Sequence, residues 1–118
     1  MATSYVQKMP TKDPASVEPY FIVWCSRNGT NDGSATDTGE LQGATISTST
    51  WSVPSGITKD SDNKNGVSIG AVDYAVNTVT TIWLSGGTAG TVYTLTNTIT
   101  TSDGRTLVKS IAVPVNTL

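Results

Sequence analysis

Alternation of apolar and polar residues is clearest in the last third of the chain. Within residues 91–101, Tyr93, Leu95, Asn97 and Ile99 are every second residue, and Val92 and threonines occupy the positions between and beside them. A period of two is typical of a strand with one buried face. A second run with apolar residues ends at Val115, and a Ser-Asp-Gly turn at residues 102–104 separates the two runs. This part of the chain predicts a β-hairpin.

Two registers of this hairpin can be written. A two-residue turn at Asp103-Gly104 would set Leu95 opposite Ala112 and leave Ile111 facing threonines. A three-residue loop with Gly104 in the left-handed conformation forms a G1 bulge and sets Leu95 opposite Ile111. We predict the second register, because it pairs apolar residues with apolar residues.

Further apolar segments, each bounded by turn signals, predict the other strands. They cover residues 20–24, 44–53, 67–69 and 71–84. The last is either one long bent strand or two short strands that divide at Asn77-Thr78. Ile46 and Trp51 have opposite parity, which indicates a bend or bulge between them, and the following Pro-Ser-Gly ends that strand. Residues 58–66 are predicted to form a polar turn, and residues 26–40 a long polar loop.

About seven strands with turns between them favour an all-β fold, an antiparallel β-sandwich. Tyr93 follows a Gly-rich crossing at residues 85–90 and resembles the tyrosine corner of immunoglobulin-like sandwiches; an ordinary core tyrosine fits the sequence equally well. Residues 1–19 hold three prolines and few apolar anchors. They predict an extended N-terminal arm, which lies along the domain or along a partner, and residues 20–118 form the sandwich domain.

The length and the charge of the chain limit the classes of protein to which it can belong. A chain of 118 residues fits one domain that buries its own core. Its net charge is −2, and its seven Lys and Arg residues are scattered along the chain. That distribution gives no nucleic-acid footprint. The first residues contain no apolar run, so we expect neither a secretory signal nor a membrane span, and we expect the protein to be made in a cytoplasm.

The chain contains no histidine, so the commonest general base and metal ligand is missing. Two aspartate pairs, Asp60/Asp62 and Asp32/Asp37, lie in segments predicted as loops, where such residues usually form Asx turns. Residues 60–66 lack the ligand spacing of an EF-hand, and the glycines at 86–87 lack the signature of a phosphate-binding loop. We therefore predict no enzyme, no catalytic, cofactor-binding or metal-binding residue, and no cofactor.

Cys25 is the only cysteine and follows Trp24 on a predicted strand. We interpret it as a small buried hydrophobic residue, and we expect Cys25→Ser to leave assembly intact. Trp24, Trp51 and Trp83 could form an aromatic platform for a sugar or a peptide. Each lies in a predicted strand, however, so packing in the core is the favoured interpretation.

Short fragments spread over residues 12–115 occur in an order and spacing that resemble one known family. They are Lys12-Asp13-Pro14, Tyr20, Trp24, Leu41, Gly43, Thr45-Ile46, Ser49-Thr50-Trp51, Val53-Pro54, Gly56, Trp83-Leu84-Ser85-Gly86-Gly87, Gly90, Tyr93, Asn97, Ile99, Thr101 and Gly104-Arg105. The family is that of the fiber-tail adaptor proteins of tailed bacteriophages, which are small immunoglobulin-like virion proteins. This chain differs at Val23, where an acidic residue is expected, and in the greater length of residues 26–40.

The resemblance implies a non-enzymatic protein of the virion tail, assembled in the host cytoplasm, that joins the tail tube or nozzle to fibers. Its partners would be other virion proteins, and a portal-proximal adaptor is a further candidate. Several copies would form a symmetric ring, and neither nucleic acid nor a membrane would be a partner. The alternative function is that of a sugar- or surface-binding immunoglobulin-like module. We expect residues 1–19 and 26–40 to contact other virion chains and to be mobile in the isolated protein.

Overall fold

The computed structural model describes residues 6–25 and 39–118 of the protein. These residues contain nine strands. They are β1 (Val6–Lys8), β2 (Val17–Val23), β3 (Ile46–Ser52), β4 (Ile57–Asn63), β5 (Val67–Ile69), β6 (Val72–Tyr74), β7 (Val79–Gly86), β8 (Thr91–Thr101) and β9 (Thr106–Val115). No helix occurs in these ranges. The predicted all-β class is confirmed, with β1 and β4 added to the strands that the sequence predicts.

The strands form two larger sheets and one small hairpin. The first sheet has the order β1-β9-β8-β3, the second β2-β7-β4, and β5 pairs with β6 alone. β1 runs parallel to β9, and the other pairs of strands are antiparallel. Both larger sheets contribute to one apolar core. Its members with 0–2% of their surface exposed include Ile22, Trp24, Leu41, Ile46, Val79, Ile82, Leu84, Leu95, Ile99, Ile111, Val113 and Val115.

A polar network crosses this core between the two larger sheets. The Thr80 hydroxyl on β7 accepts a hydrogen bond from Trp24 Nε1 at 3.0 Å and donates one to Asn97 Oδ1 on β8 at 2.7 Å. Asn97 Nδ2 in turn donates to Ser49 Oγ and to the Thr50 carbonyl on β3. Buried polar groups need such partners, because an unpaired one loses its bonds to water without replacement.

The hairpin of β8 and β9 has the predicted register. Leu95 lies opposite Ile111, and the Thr101 N–H donates to the Arg105 carbonyl at 2.9 Å, so the loop that this bond closes comprises residues 102–104. Gly104 has a φ of 88°, and its N–H donates to the Thr101 carbonyl at 3.0 Å. The left-handed glycine closes the turn as the G1-bulge prediction requires.

Two further predictions about strand irregularities are confirmed. The pairing of β3 with β8 shifts between Ile46 and Thr48, and this bulge lets both Ile46 and Trp51 face the core. The chain between β6 and β7 turns at Asn77, which has a φ of 64°. Residues 71–84 therefore contain two strands that divide at the predicted place.

The polar turn predicted for residues 58–66 is wrong, because most of it is strand β4. This strand carries almost no apolar residues after Ile57, so its sequence shows no alternation. It forms because it pairs with β7, a central strand whose paired residues lie 18 to 29 positions further along the chain. Its side chains are mostly exposed, as suits the edge of a sheet.

The N-terminal region is more closely attached to the sheets than an independent arm. β1 pairs with β9, Lys12 forms a parallel bridge with Val115, and Met9 is buried. β2 begins at Val17, three residues before the predicted start of the strand. The division into an arm and a domain stays a prediction, and the predicted loop lies outside the described residues except for its last two positions.

Candidate interaction site at the edge of β2

The two larger sheets have four edge strands, and three of them carry features that discourage pairing with another chain. β1 has only three residues, and β3 is interrupted by its bulge. β4 has a bulge between Lys59 and Ser61 and carries the charged Lys59, Asp60 and Asp62. Short, bulged or charged edges resist the addition of a further strand. β2 is different, because its seven residues pair regularly with β7 and include only one charge, Glu18.

The hydrogen-bond directions along β2 follow from its pairing. The Trp24 N–H donates to the Thr78 carbonyl at 3.0 Å, and antiparallel pairs alternate between bonded and non-bonded positions. The N–H and C=O groups of Phe21 and Val23 therefore point away from β7. Pro19 occupies the same type of position, so its missing N–H costs β2 no bond to β7. Within the described residues, the N–H and C=O of Phe21 have no partner.

A groove of about 560 Å³ lies beside this edge. Residues 9–11, which follow β1, line it together with Pro19, Phe21 and Val23 of β2. Lys109 and Glu40 also line it. The groove thus lies between an edge of each larger sheet, where apolar side chains and unpaired backbone groups are close together.

Lys109 is the cationic residue of the groove. Its Nζ lies 2.7 Å from Glu40 Oε1 and 4.8 Å from the centre of the Trp24 ring, and it donates to the Val23 carbonyl at 3.4 Å. The opposite end of β2 carries Glu18, which lines the groove and forms no ion pair with a described residue. One end of the groove therefore carries the Lys109–Glu40 ion pair, and the other end carries the carboxylate of Glu18.

Lys12 holds the chain beside β1 to the end of β7. It is fully buried, and its Nζ donates to three carbonyls: Asp13, Ser16 at 2.5 Å and Gly86 at 2.8 Å. Sequence reasoning missed this role, because a lysine beside Asp and Pro is typical of an exposed turn. The signal in the sequence that could have indicated a role for Lys12 is that Lys12 begins the first fragment that resembles the adaptor family.

Asp13, next to this lysine, connects two parts of the chain. Its carboxylate accepts hydrogen bonds from the N–H groups of Leu118 at 3.0 Å and Ala15 at 2.8 Å. These bonds lower the pKa of Asp13; burial opposes them, and the charge of Lys12 adds a lowering effect smaller than that of burial. The ionised form of Asp13 is therefore the one that the folded chain favours.

The Gly-rich crossing before β8 permits a close contact, as predicted. Gly87 has a φ of 100°, and a Cβ built there would lie 2.9 Å from Cγ2 of Val115. The Tyr93 hydroxyl accepts a hydrogen bond from the Thr88 N–H at 2.9 Å. This bond to nearby backbone is what the tyrosine-corner interpretation predicts, and the tyrosine ring is also buried in the core.

The residues weighed for chemistry have structural partners. Asp60 accepts a hydrogen bond from Ser85 at 2.8 Å, and Asp62 pairs with Lys59 at 2.5 Å. Both aspartates lie on β4, so the loop assignment made for them was wrong. Asp32 and Asp37 lie outside the described residues. Among those that are described, no three His, Cys, Asp or Glu residues are grouped so that they could hold a metal ion.

Cys25 is buried, as predicted. Trp24 and Trp51 are also buried, and the core interpretation is correct for them. It is wrong for Trp83, which is 37% exposed because its position on β7 has the outward parity. The structure therefore does not bring the three tryptophans together on one surface.

Comparison with protein families decides the class of this chain. The model of the podophage GP4 fiber-tail adaptor protein gp77 family matches residues 12–114. The chain belongs to this family. A comparison with individually curated proteins found no match. Family membership makes the chain a structural protein of the phage tail, with other virion proteins as its partners. No helix in the described ranges is long and apolar enough to cross a membrane.

Proposed function

We propose that this protein is a non-enzymatic adaptor that joins the tail tube or nozzle of a podophage to its fibers. The observation that carries the proposal is the family match, which spans residues 12–114. The absence of histidine from the sequence supports a role without catalysis, because the usual general base is missing. The immunoglobulin-like form of the fold, the symmetric multi-copy arrangement and assembly in the host cytoplasm belong to the same proposal.

The exposed edges of the sheets suit such a role. Adaptors act by surface complementarity, and a strand with unpaired backbone groups can add a strand from a neighbour. β2 offers those groups beside a groove lined by both apolar and charged residues. The chain beside β1, held by the buried Lys12, places a second set of residues at the same site.

The test is a phage in which the gene for this protein is interrupted, with the intact gene supplied from a plasmid as the control. We expect particles with filled heads and tails that lack fibers and do not adsorb to cells, and we expect the plasmid to restore both. Electron microscopy of purified particles and an adsorption assay give the two readouts. Particles that keep their full set of fibers without this protein would show that the adaptor proposal is wrong.

A further inference from the structure

We propose that two copies of this chain associate through the free edges of β2, in an antiparallel arrangement with a two-fold axis at Phe21. The two three-stranded sheets would then continue as one six-stranded sheet. The proposal goes beyond the adaptor function and does not depend on it. It rests on the hydrogen-bonding groups, the charges and the apolar residues that the β2 edge presents.

The backbone groups of β2 complement a second copy of themselves in this register. Phe21 pairs with Phe21 of the second copy, and each donates its N–H to the carbonyl of the other. Pro19 then lies opposite Val23 of the second copy. Pro19 has no N–H to donate, and the Val23 carbonyl already accepts a hydrogen bond from Lys109 at 3.4 Å. Pro19, which lacks an N–H, therefore lies opposite Val23, whose carbonyl already accepts a hydrogen bond from Lys109.

Other registers of the same pairing lack this match. A shift of two residues sets Pro19 opposite Phe21 of the second copy, whose carbonyl would then have neither a backbone nor a lysine donor. A shift in the other direction shortens the overlap of the strands. Unpaired backbone groups in a sheet interior are costly, so the register centred on Phe21 is favoured.

Charge leads to the same register independently. Glu18, which has no ion pair with a described residue, lies opposite Trp24 of the second copy. The Lys109 ammonium lies over that tryptophan ring, 4.8 Å from its centre. Each Glu18 would therefore approach the Lys109–Glu40 ion pair of the other copy, with the ammonium between two carboxylates, and the two-fold axis makes the contact twice. An ammonium near the otherwise unpaired Glu18 favours this register.

The side chains that share the outward face with Phe21 are apolar. Pro19 and Val23 flank it on β2, and all three are half-buried in the isolated chain. In the pair, each Pro19 would contact Val23 of the other copy, and the two Phe21 rings would meet at the axis. Pairing would cover apolar surface and satisfy the free backbone groups at the same time.

The first test is a disulfide cross-link. In Phe21→Cys, the new cysteines of two copies would lie across a bonded antiparallel pair, where Cα atoms are about 5.5 Å apart and a disulfide can form. We expect mild oxidation to give a covalent dimer linked through residue 21, identified by mass spectrometry. The matched control is Trp83→Cys, which lies outward on the central strand β7 and should form no covalent dimer under the same oxidation. The native Cys25 is buried in the unsubstituted chain, and mass spectrometry distinguishes a link through residue 25 from one through residue 21.

The second test is light scattering with size-exclusion chromatography on the full chain. We expect the wild type to be dimeric at about 100 μM, and Phe21→Lys to raise the dissociation constant at least about tenfold, because two lysines would meet at the axis. Trp83→Lys should leave it unchanged. A wild-type protein that stays monomeric overturns the proposal. A dimer that Phe21→Lys does not weaken also overturns it, and so does a Phe21→Cys protein that fails to cross-link. The same results are expected if β2 binds only a strand of another virion protein, and they would overturn the proposal in that case too.

Discussion

At the scale of single residues, burial and hydrogen bonding together explain why particular residue types occupy several positions, which composition alone does not explain. Asn97 is buried on a strand of threonines because it links Thr80 on one sheet to Ser49 on the other. Gly87 is needed because a side chain would collide with Val115. Trp51 differs, since its Nε1 is buried without a hydrogen-bond partner among the described residues. Such a group costs stability.

Replacing Thr80 with Val tests the polar network. The substitution keeps the shape of the side chain and removes the hydroxyl, so Trp24 Nε1 loses its acceptor and Asn97 Oδ1 loses its donor. We expect the free energy of unfolding to fall by about 1–3 kcal/mol in urea denaturation. The control is Thr48→Val, whose hydroxyl is exposed and which should stay within about 0.5 kcal/mol of wild type. Equal effects of the two substitutions would contradict the role of the network.

At the scale of elements, partners distant in the chain decide which segments become strands and how they are held. β4 is polar and forms only beside β7. β1 has three residues and depends on β9 and on the lysine that follows it. Lys12 reaches a carbonyl 74 residues away, so its contribution depends on the folded arrangement of the sheets.

Replacing Lys12 with Met should destabilise this attachment. The carbonyls of Asp13, Ser16 and Gly86 would lose their common donor inside the protein. We expect a loss of about 2 kcal/mol in the free energy of unfolding, together with faster hydrogen exchange of the Met9 amide, which bonds to Ala112. Lys8→Met is the control, because Lys8 is exposed. If both substitutions leave stability and exchange unchanged, Lys12 does not hold this segment.

At the scale of the whole molecule, ionised carboxylates connect the ends of the fold. Asp13 bonds to the Leu118 N–H, and Asp103 lies in the turn between β8 and β9. A hydrogen bond from the Thr101 hydroxyl is the main cause that lowers the pKa of Asp103; burial opposes it, and Arg105 adds to it. Both aspartates therefore have a lower pKa in the folded than in the unfolded chain.

The sign of the pH dependence follows from these shifts. Stability from a lowered carboxyl pKa is present above the unfolded value, about 3.9 for Asp, and is lost as the pH falls through the folded value. We expect the free energy of unfolding to be level near neutral pH and to decrease as the pH falls below about 4. Urea denaturation from pH 7 to pH 3 measures this, and Asp13→Asn and Asp103→Asn should each make the decrease smaller. If the free energy of unfolding decreases by the same amount in both variants as in the wild type, other groups cause the pH dependence.

Elements with local signals can be predicted from the sequence. The hairpin of β8 and β9, its register and its turn follow from alternation and from Gly104, because the two strands are joined by three residues and pair next to each other. The bulge after Ile46 follows from parity, and the break at Asn77 from turn chemistry. The family, too, could be recognised from spaced fragments of the sequence.

The order of the strands, and with it the exposure of individual residues, depends on contacts between distant parts of the chain. β2 reads as an apolar strand in the sequence, but whether it lies in the centre or at the edge of a sheet depends on long-range pairing with β7. The same pairing turns Trp83 outward and makes β4 a strand. Periodicity reports that a strand has two faces; it carries no information about which strand lies beside it, because those contacts join residues far apart in the chain.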